Sequence, residues 1–242
     1  MSKQFKGKLC AYCHTRKSIR QGDHIFARKL FLEEDRANLP KVPACDQCNN
    51  EKSAIEHYLA IVLPFGGMHD AAQENLSTLV PGRLEKNKKL HRKLQAEMSY
   101  VNYTDHEGNE SKRMVIPFDG DLYAKLFGYI AKGLSLYYWE TYITKNSISF
   151  STSLSEAGIQ SFEHFFALNT PNRVVNSIAN NTFTYKGVQA VDNDQITFWL
   201  FRTYNGLTGT EVIDGKEHET SIVGSFTGPP EKMNKFVELF SS

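Results

Sequence analysis

Residues 10–57 have the sequence CAYCHTRKSIRQGDHIFARKLFLEEDRANLPKVPACDQCNNEKSAIEH. This stretch holds all four cysteines of the 242-residue chain, in the CxxC pairs Cys10/Cys13 and Cys45/Cys48. A CxxC turn directs two thiolates toward one point, and two such turns supply the four ligands of a tetrahedral zinc ion at about 2.3 Å. Because 31 residues separate the pairs, the pattern predicts a structural zinc ion that closes a sizeable loop.

Two other interpretations of the cysteines are a pair of redox CxxC motifs and two structural disulfides. A redox motif is usually single and lies on a βαβ unit, and nothing in the sequence marks the chain as secreted. Reduced thiols in the cytoplasm favour zinc over disulfides. We therefore expect a zinc site.

An Asp-His dipeptide and an asparagine accompany the cysteines. Asp23 and His24 lie between the two pairs, and Asn49 directly follows the last cysteine. With these residues the first quarter of the chain resembles the HNH (ββα-metal) nucleases, in which a strand ending in Asp-His precedes a loop, a second strand and a helix. It is similar to the zinc-stapled branch with two CxxC pairs, in which His or Asn follows the final cysteine and a lysine, here Lys52, lies four residues past it.

The resemblance implies an endonuclease that hydrolyses DNA and leaves a 5′-phosphate and a 3′-hydroxyl. His24 would be the general base, since a neutral imidazole accepts a proton from water. Asp23 and Asn49 would hold a catalytic Mg²⁺ or Mn²⁺ through oxygen atoms, which are the ligands these ions prefer. Arg28 and Lys52 would bind the scissile phosphate.

Each assignment has a structural alternative. Asn49 is also a favourable helix N-cap, and Arg28 and Lys52 are equally well interpreted as solvated basic side chains. His14 and His57 are weaker candidates for the site. The middle asparagine of the family is replaced here by Pro40. The nearest candidate, Asn38, is expected to affect loop geometry rather than the metal.

Charge and hydropathy limit the partners. The formal net charge is only +1, so attraction to nucleic acid has to come from local basic patches. The N-terminal sequence MSKQFKGKLC lacks the apolar segment of a secretion signal, and no later run reaches the roughly 18 apolar residues of a membrane span. We therefore expect a cytoplasmic protein with no membrane partner and find no indication of a homo-oligomer.

The hydrophobic pattern predicts an α+β protein in three segments. Residues 1–64 form the zinc-stapled ββα module, 65–98 a helical, basic connector, and 99–242 an α+β domain of unknown role with an antiparallel sheet. The predicted strands are 20–31, 41–45, the hairpin within 99–116, 147–151, 182–191, 195–204 and 221–226. The run 196–201 is apolar on both faces, so we expect strand 195–204 to be central in its sheet. The predicted helices are 46–63, 69–79, 83–98, one from Asp119 or Asp121 to Tyr138, 155–168 and 231–240. The basic helix 83–98 either lies along DNA phosphates or is a solvated linker.

The expected function is therefore cleavage of double-stranded DNA, and we hypothesise a role in restricting foreign DNA or in antiviral defence. Two alternatives are open. One is a non-catalytic zinc module that binds DNA or a protein partner. The other is a nuclease that acts on RNA or on branched DNA.

Overall fold

The computed structural model describes residues 4–18, 22–104, 108–206, 210–213, 216–219 and 222–233. Within these ranges helices alternate with antiparallel strands, and a cluster of four cysteines lies near the N-terminus. The predicted α+β class is thereby confirmed. None of the helices in these ranges combines the length and the apolar content that a membrane crossing requires.

The N-terminal elements are two short strands followed by a long helix. Strand β1 (Asp23–His24) pairs antiparallel with β2 (Lys41–Val42), and α1 extends over Asp46–Gly66. Both strands are much shorter than predicted, because the chain after Ala27 turns into two 3-10 helices, Arg28–Leu30 and Glu34–Arg36. A two-sided strand alternates buried and exposed side chains, whereas Ile25, Phe26 and Ala27 are all buried. These residues anchor a loop in the core.

A chain of short helical segments follows α1. Helix α2 (Asp70–Glu74) continues through a π-helical turn (Asn75–Leu79) into α3 (Val80–Lys86), and α4 extends over Lys88–Glu97. The predicted helices 69–79 and 83–98 correspond to this series, which is interrupted at Asn87. The Asn87 side chain accepts a hydrogen bond from the Leu90 backbone N–H at 3.1 Å and so caps α4, as asparagine does at many helix N-termini.

The predicted hairpin within 99–116 is confirmed as strands β3 (Ser99–Thr104) and β4 (Glu110–Val115), which form a separate two-stranded ribbon. Helix α5 (Gly120–Trp139) comes next. Of its two candidate first residues, Asp119 is the N-cap, because its Oδ1 accepts a hydrogen bond from the Leu122 N–H at 3.0 Å.

Five of the remaining strands form an antiparallel sheet in the order β5-β11-β8-β7-β6. The sheet strands are β5 (Ile148–Ser153), β6 (Arg173–Ile178), β7 (Phe183–Gln189), β8 (Thr197–Thr203) and β11 (Ile222–Gly228), and helix α6 is Glu156–Leu168. Strand β6 and the small ribbon of β9 (Thr210–Ile213) and β10 (Lys216–Glu219) were not predicted. Residues 230–233 are helical, and the rest of the predicted helix 231–240 lies outside the described residues.

Strand β8 is the central strand of the sheet, as its apolar sequence predicted. Its Phe198 packs on Phe162 of α6, with 4.7 Å between the ring centroids. On the other face, Trp199 is fully buried and donates a hydrogen bond to Ser135 Oγ of α5 at 3.2 Å. Helices α5 and α6 therefore cover opposite faces of the sheet.

The larger core cluster extends from the cysteines to the sheet. Phe26, in the loop after β1, packs against Phe183 of β7 with ring centroids 5.0 Å apart. At Gly133 of α5 an added Cβ would lie 3.1 Å from Ile25 Cγ2, so the glycine allows α5 to approach the chain next to His24. The division of the chain at residues 64 and 98 stays a prediction.

Candidate metal centre and the Asp-His strand

The four cysteine Sγ atoms lie within 4.8 Å of one another. A tetrahedral zinc ion with Zn–S bonds of about 2.3 Å places neighbouring sulfurs about 3.8 Å apart, and the Cys13 and Cys45 Sγ atoms are 3.9 Å apart. Three of the cysteines are buried, and Cys13 is partly exposed. The cluster therefore has the donor atoms and the size to hold a zinc ion.

Backbone hydrogen bonds and the start of α1 position the sulfurs. The Cys10 N–H donates to Arg16 O at 2.8 Å, and the Ala11 N–H donates to Pro43 O at 2.8 Å, which joins the two halves of the cluster. Cys45 is the N-cap residue of α1, and Cys48 lies in its first turn. The first turn of one helix therefore holds both sulfurs.

The sulfurs of the cluster act on one another. The Cys48 thiol donates a hydrogen bond to Cys10 and lowers the pKa of Cys10 to about 4, while the same contact raises the pKa of Cys48. Burial lowers the pKa of Lys132 on α5, and the charges of Cys48, Cys13 and Cys10 oppose this shift. The positive charge of Lys132 therefore acts on the cluster, and it would offset part of the net negative charge of a zinc ion bound by four thiolates.

A buried hydrogen-bonded network connects the cysteine cluster to Asp23. The hydroxyl of Tyr12, which lies between Cys10 and Cys13 in the chain, donates to Asp23 Oδ2 at 2.5 Å. Lys52 Nζ lies 3.0 Å from the same oxygen, donates to the backbone carbonyl of His24 at 2.7 Å and pairs with Glu56 Oε1. Burial raises the pKa values of Glu56 and Tyr12. Lys52 thus joins β1 to α1.

This position changes the interpretation of Lys52. The residue is 0% exposed, and its ammonium is surrounded by three protein oxygens. This burial argues against the predicted contact of Lys52 with a substrate phosphate. It agrees with a role of Lys52 in holding Asp23 in place. Tyr12, Glu56 and Lys132 were not predicted as site residues. The one local signal was the spacing of Lys52 and Glu56, which lie four residues apart on a helix and therefore on one face.

We expect Lys52→Met to lower the free energy of unfolding by about 3 kcal/mol, because the carboxylates of Asp23 and Glu56 would remain buried without their cation. Lys125→Met is the matched control, since Lys125 pairs with Glu51 where both side chains are more than 40% exposed and such pairs contribute about 1 kcal/mol or less. Urea unfolding of the zinc-loaded variants gives both values. Equal, small losses would show that the Lys52 network does not hold the strand.

His24 and Asn49 lie on the two elements that Lys52 joins. Burial, followed by the charges of Lys41 and Arg28, lowers the pKa of His24 to about 4, so its imidazole is neutral at physiological pH. Asn49 lies in the first turn of α1 and is partly buried. The alternative that Asn49 is the helix N-cap is wrong, because the N-cap residue is Cys45 and Asn49 lies inside the first helical turn. The Asn49 amide is therefore not used for capping.

The other candidate residues lie around this pair of elements. Arg28 is exposed, as a phosphate-binding residue has to be. His14 stacks on Tyr142 with ring centroids 4.8 Å apart, and His57 Nε2 lies 2.9 Å from Lys29 Nζ. Asn38 has a φ of 59° in the loop between β1 and β2, a conformation that asparagine adopts more readily than most residues, which agrees with a role in loop geometry.

A metal ion can be shared where the ligand atoms of three or more Cys, His, Asp or Glu side chains lie close together. In the described part of the chain, the four cysteines form such a cluster. Binding of Mg²⁺ or Mn²⁺ by Asp23 and Asn49 stays a prediction. Comparisons of the chain with protein-family models, with curated proteins and with solved structures found no match.

Proposed function

We propose that the N-terminal region is a zinc-stapled, metal-dependent endonuclease of the HNH type that hydrolyses DNA. The observation that carries this proposal is the order β1, β2, α1, with Asp23 and His24 on the first strand and Asn49 in the first turn of the helix. Lys52 ties that strand to that helix through Asp23 Oδ2 and the His24 carbonyl. The three residues that the proposed chemistry requires therefore lie on two elements, β1 and α1, which Lys52 holds together.

Each residue has a defined task in the proposed reaction. Asp23 and Asn49 would hold Mg²⁺ or Mn²⁺, which supplies Lewis-acid stabilisation of the negative charge on the phosphate and the leaving oxygen. His24 accepts a proton from the attacking water, whose oxygen forms a bond to phosphorus. The bond from phosphorus to the 3′-oxygen breaks, and that oxygen takes a proton from solvent. The products are a 5′-phosphate and a 3′-hydroxyl.

The remaining side chains orient these groups. Tyr12 and Lys52 both bind Asp23 Oδ2, which leaves Asp23 Oδ1 as the oxygen offered to the metal. Exposed Arg28 donates hydrogen bonds to the scissile phosphate, because a guanidinium binds phosphate oxygens in pairs. The Tyr12–Asp23 bond joins the strand to the cysteine cluster, so the zinc ion stabilises the catalytic geometry without taking part in the reaction.

One observation favours the second candidate, a non-catalytic zinc module that binds nucleic acid or protein. Asp23 Oδ2 already carries two donors, and Lys52 balances the charges of Asp23 and Glu56. An aspartate whose charge is neutralised in this way serves as a structural residue in many proteins. In that case Asp23, Lys52 and Glu56 would only hold strand β1 on helix α1.

Cleavage assays separate the two candidates. Zinc-loaded protein is incubated with supercoiled plasmid, single-stranded DNA, branched DNA and RNA, with Mg²⁺, with Mn²⁺ or with neither. The nuclease predicts nicked or linear plasmid only when a divalent ion is added, with 5′-phosphate ends. Binding of DNA without cleavage of any substrate would support the non-catalytic module. Protection of a bacterial host against phage by the intact protein would support the proposed role in restricting foreign DNA.

A further inference from the structure

A short basic turn follows the Asp-His strand. Arg28 and Lys29 lie in the first 3-10 helix after β1, and both residues are exposed. The backbone carbonyl of Arg28 accepts a hydrogen bond from Arg36 Nε at 3.0 Å. The carbonyl of Lys29 accepts one from Arg83 of α3 at 2.8 Å, and a second nitrogen of Arg83 donates to Ala60 O of α1 at 2.6 Å. Two arginines thus hold the turn, and Arg83 fixes it against α1.

The end of the Lys29 side chain is also held. Lys29 Nζ lies 2.9 Å from Nε2 of His57, an exposed residue of α1. His57 follows Asn49 by eight residues on this helix, which corresponds to about 12 Å along the helix axis. A long side chain loses rotamer freedom when it binds a ligand, and one that is already held loses less. The Lys29 ammonium is therefore kept in place beside the helix that carries Asn49.

Among the described residues, the charges that act on Lys29 are mostly positive. Burial and then the charge of Arg83 lower the pKa of Lys29, and the carboxylate of Glu56 opposes this shift. Arg36 and Lys86 lower the same pKa further. Glu56 already pairs with a buried lysine of α1. Three cations are therefore held near a fourth with little compensating charge, and a bound anion would relieve this repulsion.

The basic surface continues from the turn toward α4. Helix α3 ends at Lys86, and α4 begins at Lys88. Four exposed basic residues of α4 form two pairs with a spacing of four residues and so lie on one side of the helix: Lys88 with Arg92 and Lys89 with Lys93. The helix is about 15 Å long, and each strand of duplex DNA carries one phosphate per about 3.4 Å of its axis. A basic row of this length fits a chain of regularly spaced phosphates better than a single small anion.

Acidic side chains are fewer in these two stretches. Residues 28–36 and 83–97 contain nine lysines and arginines and five acidic residues. Glu34 and Asp35 of the first stretch line a cavity at the side of strand β6. The excess of positive charge favours a polyanion. The turn follows the strand that carries His24, so nucleic acid is favoured over an acidic protein as that polyanion.

We propose that Lys29, positioned by His57 and Arg83, binds a backbone phosphate of a nucleic-acid strand next to the phosphate at Arg28. The strand then continues along the basic side of α4. This inference rests on the proposed function, in which Arg28 binds the scissile phosphate. Lys29 contributes to binding and takes no part in proton transfer.

DNA binding in the absence of Mg²⁺ and Mn²⁺ tests the role of Lys29. The full zinc-loaded chain is titrated onto a fluorescently labelled duplex, whose anisotropy gives the Kd at several salt concentrations. We expect Lys29→Met to raise the Kd about tenfold. It is also expected to reduce the slope of log K against log salt by about one, equally on two unrelated sequences, because one phosphate contact is lost.

Two further variants control for the charge change. Lys29→Arg keeps the positive charge and is expected to keep the wild-type salt slope. Lys186→Met removes a lysine of β7 that pairs with Glu163 of α6, on the face of the sheet opposite to α5. This variant is expected to leave both the Kd and the salt slope unchanged.

His57→Ala tests the positioning of the ammonium. The substitution removes the partner of Lys29 Nζ but keeps Lys29 itself, so we expect the Kd to rise about threefold while the salt slope keeps its wild-type value. A role of His57 in stability alone would change the melting temperature and leave the Kd unchanged, which would overturn its positioning role.

A wild type that binds no duplex at low salt would overturn the inference, and so would a Lys29→Met protein with the wild-type Kd and salt slope. Displacement of DNA by millimolar inorganic phosphate, but not by chloride at equal ionic strength, would assign the site to a free anion and overturn the choice of nucleic acid. Tighter binding of polyglutamate than of DNA would overturn it in favour of an acidic protein. Failure of the nuclease alone would appear instead as DNA binding that depends on Lys29, without cleavage of any substrate.

Discussion

Cys45→Ser is expected to abolish zinc binding and to unfold the N-terminal region. The substitution removes one of four sulfurs and also changes the residue that starts α1. A structural zinc ion contributes roughly 10–16 kcal/mol of apparent binding free energy, which in small zinc modules is also folding free energy. The predicted result is a fall in zinc content from one ion per chain to none, with loss of the α1 helix signal.

Thr15→Ala is the matched control for the cysteine substitution. Its hydroxyl donates to Cys13 Sγ at 3.2 Å, so the variant removes a hydrogen bond to the cluster but keeps every sulfur. We expect one zinc ion per chain and a loss of about 1 kcal/mol in the free energy of unfolding. Zinc content measured by elemental analysis, together with circular dichroism, distinguishes the variants. A fully folded Cys45→Ser protein without metal would contradict a structural role for zinc.

The features that local sequence determines were predictable. The spacing of the two CxxC pairs predicted the cysteine cluster because each turn brings its own sulfurs together. The helical period of the apolar residues predicted α5, and the continuous apolar run predicted that β8 is central. In each case the signal is carried by residues that lie close to one another in the chain.

The features that depend on tertiary contacts were not predictable. Strand β6 has the sequence RVVNSI, which does not alternate, and it forms because β7 offers it hydrogen bonds at the edge of the sheet. Lys52 resembles any solvated lysine on a helix, and its burial depends on a contact with Asp23, which lies 29 residues earlier in the chain. The strands near β1 and β2 were predicted too long because buried loop residues have the same apolar pattern as a strand.

His24→Ala is expected to lower the rate of DNA cleavage by about 10²- to 10⁴-fold, the range that a general base contributes. The His24 side chain is partly buried, and the contact of this residue with Lys52 uses the backbone carbonyl. The substitution therefore leaves the link between β1 and α1 in place. The variant is expected to retain one zinc ion and to have a melting temperature within a few degrees of the wild-type value.

His164→Ala, on the exposed face of α6, is the matched control and is expected to cleave at the wild-type rate. The most direct measurement is the rate of plasmid nicking by wild type, His24→Ala and His164→Ala at equal zinc content in the presence of Mg²⁺ or Mn²⁺. Loss of nicking in the folded, zinc-loaded His24→Ala protein alone is the predicted result. Equal nicking by all three proteins would contradict the role of His24, and no nicking by any of them would contradict the nuclease.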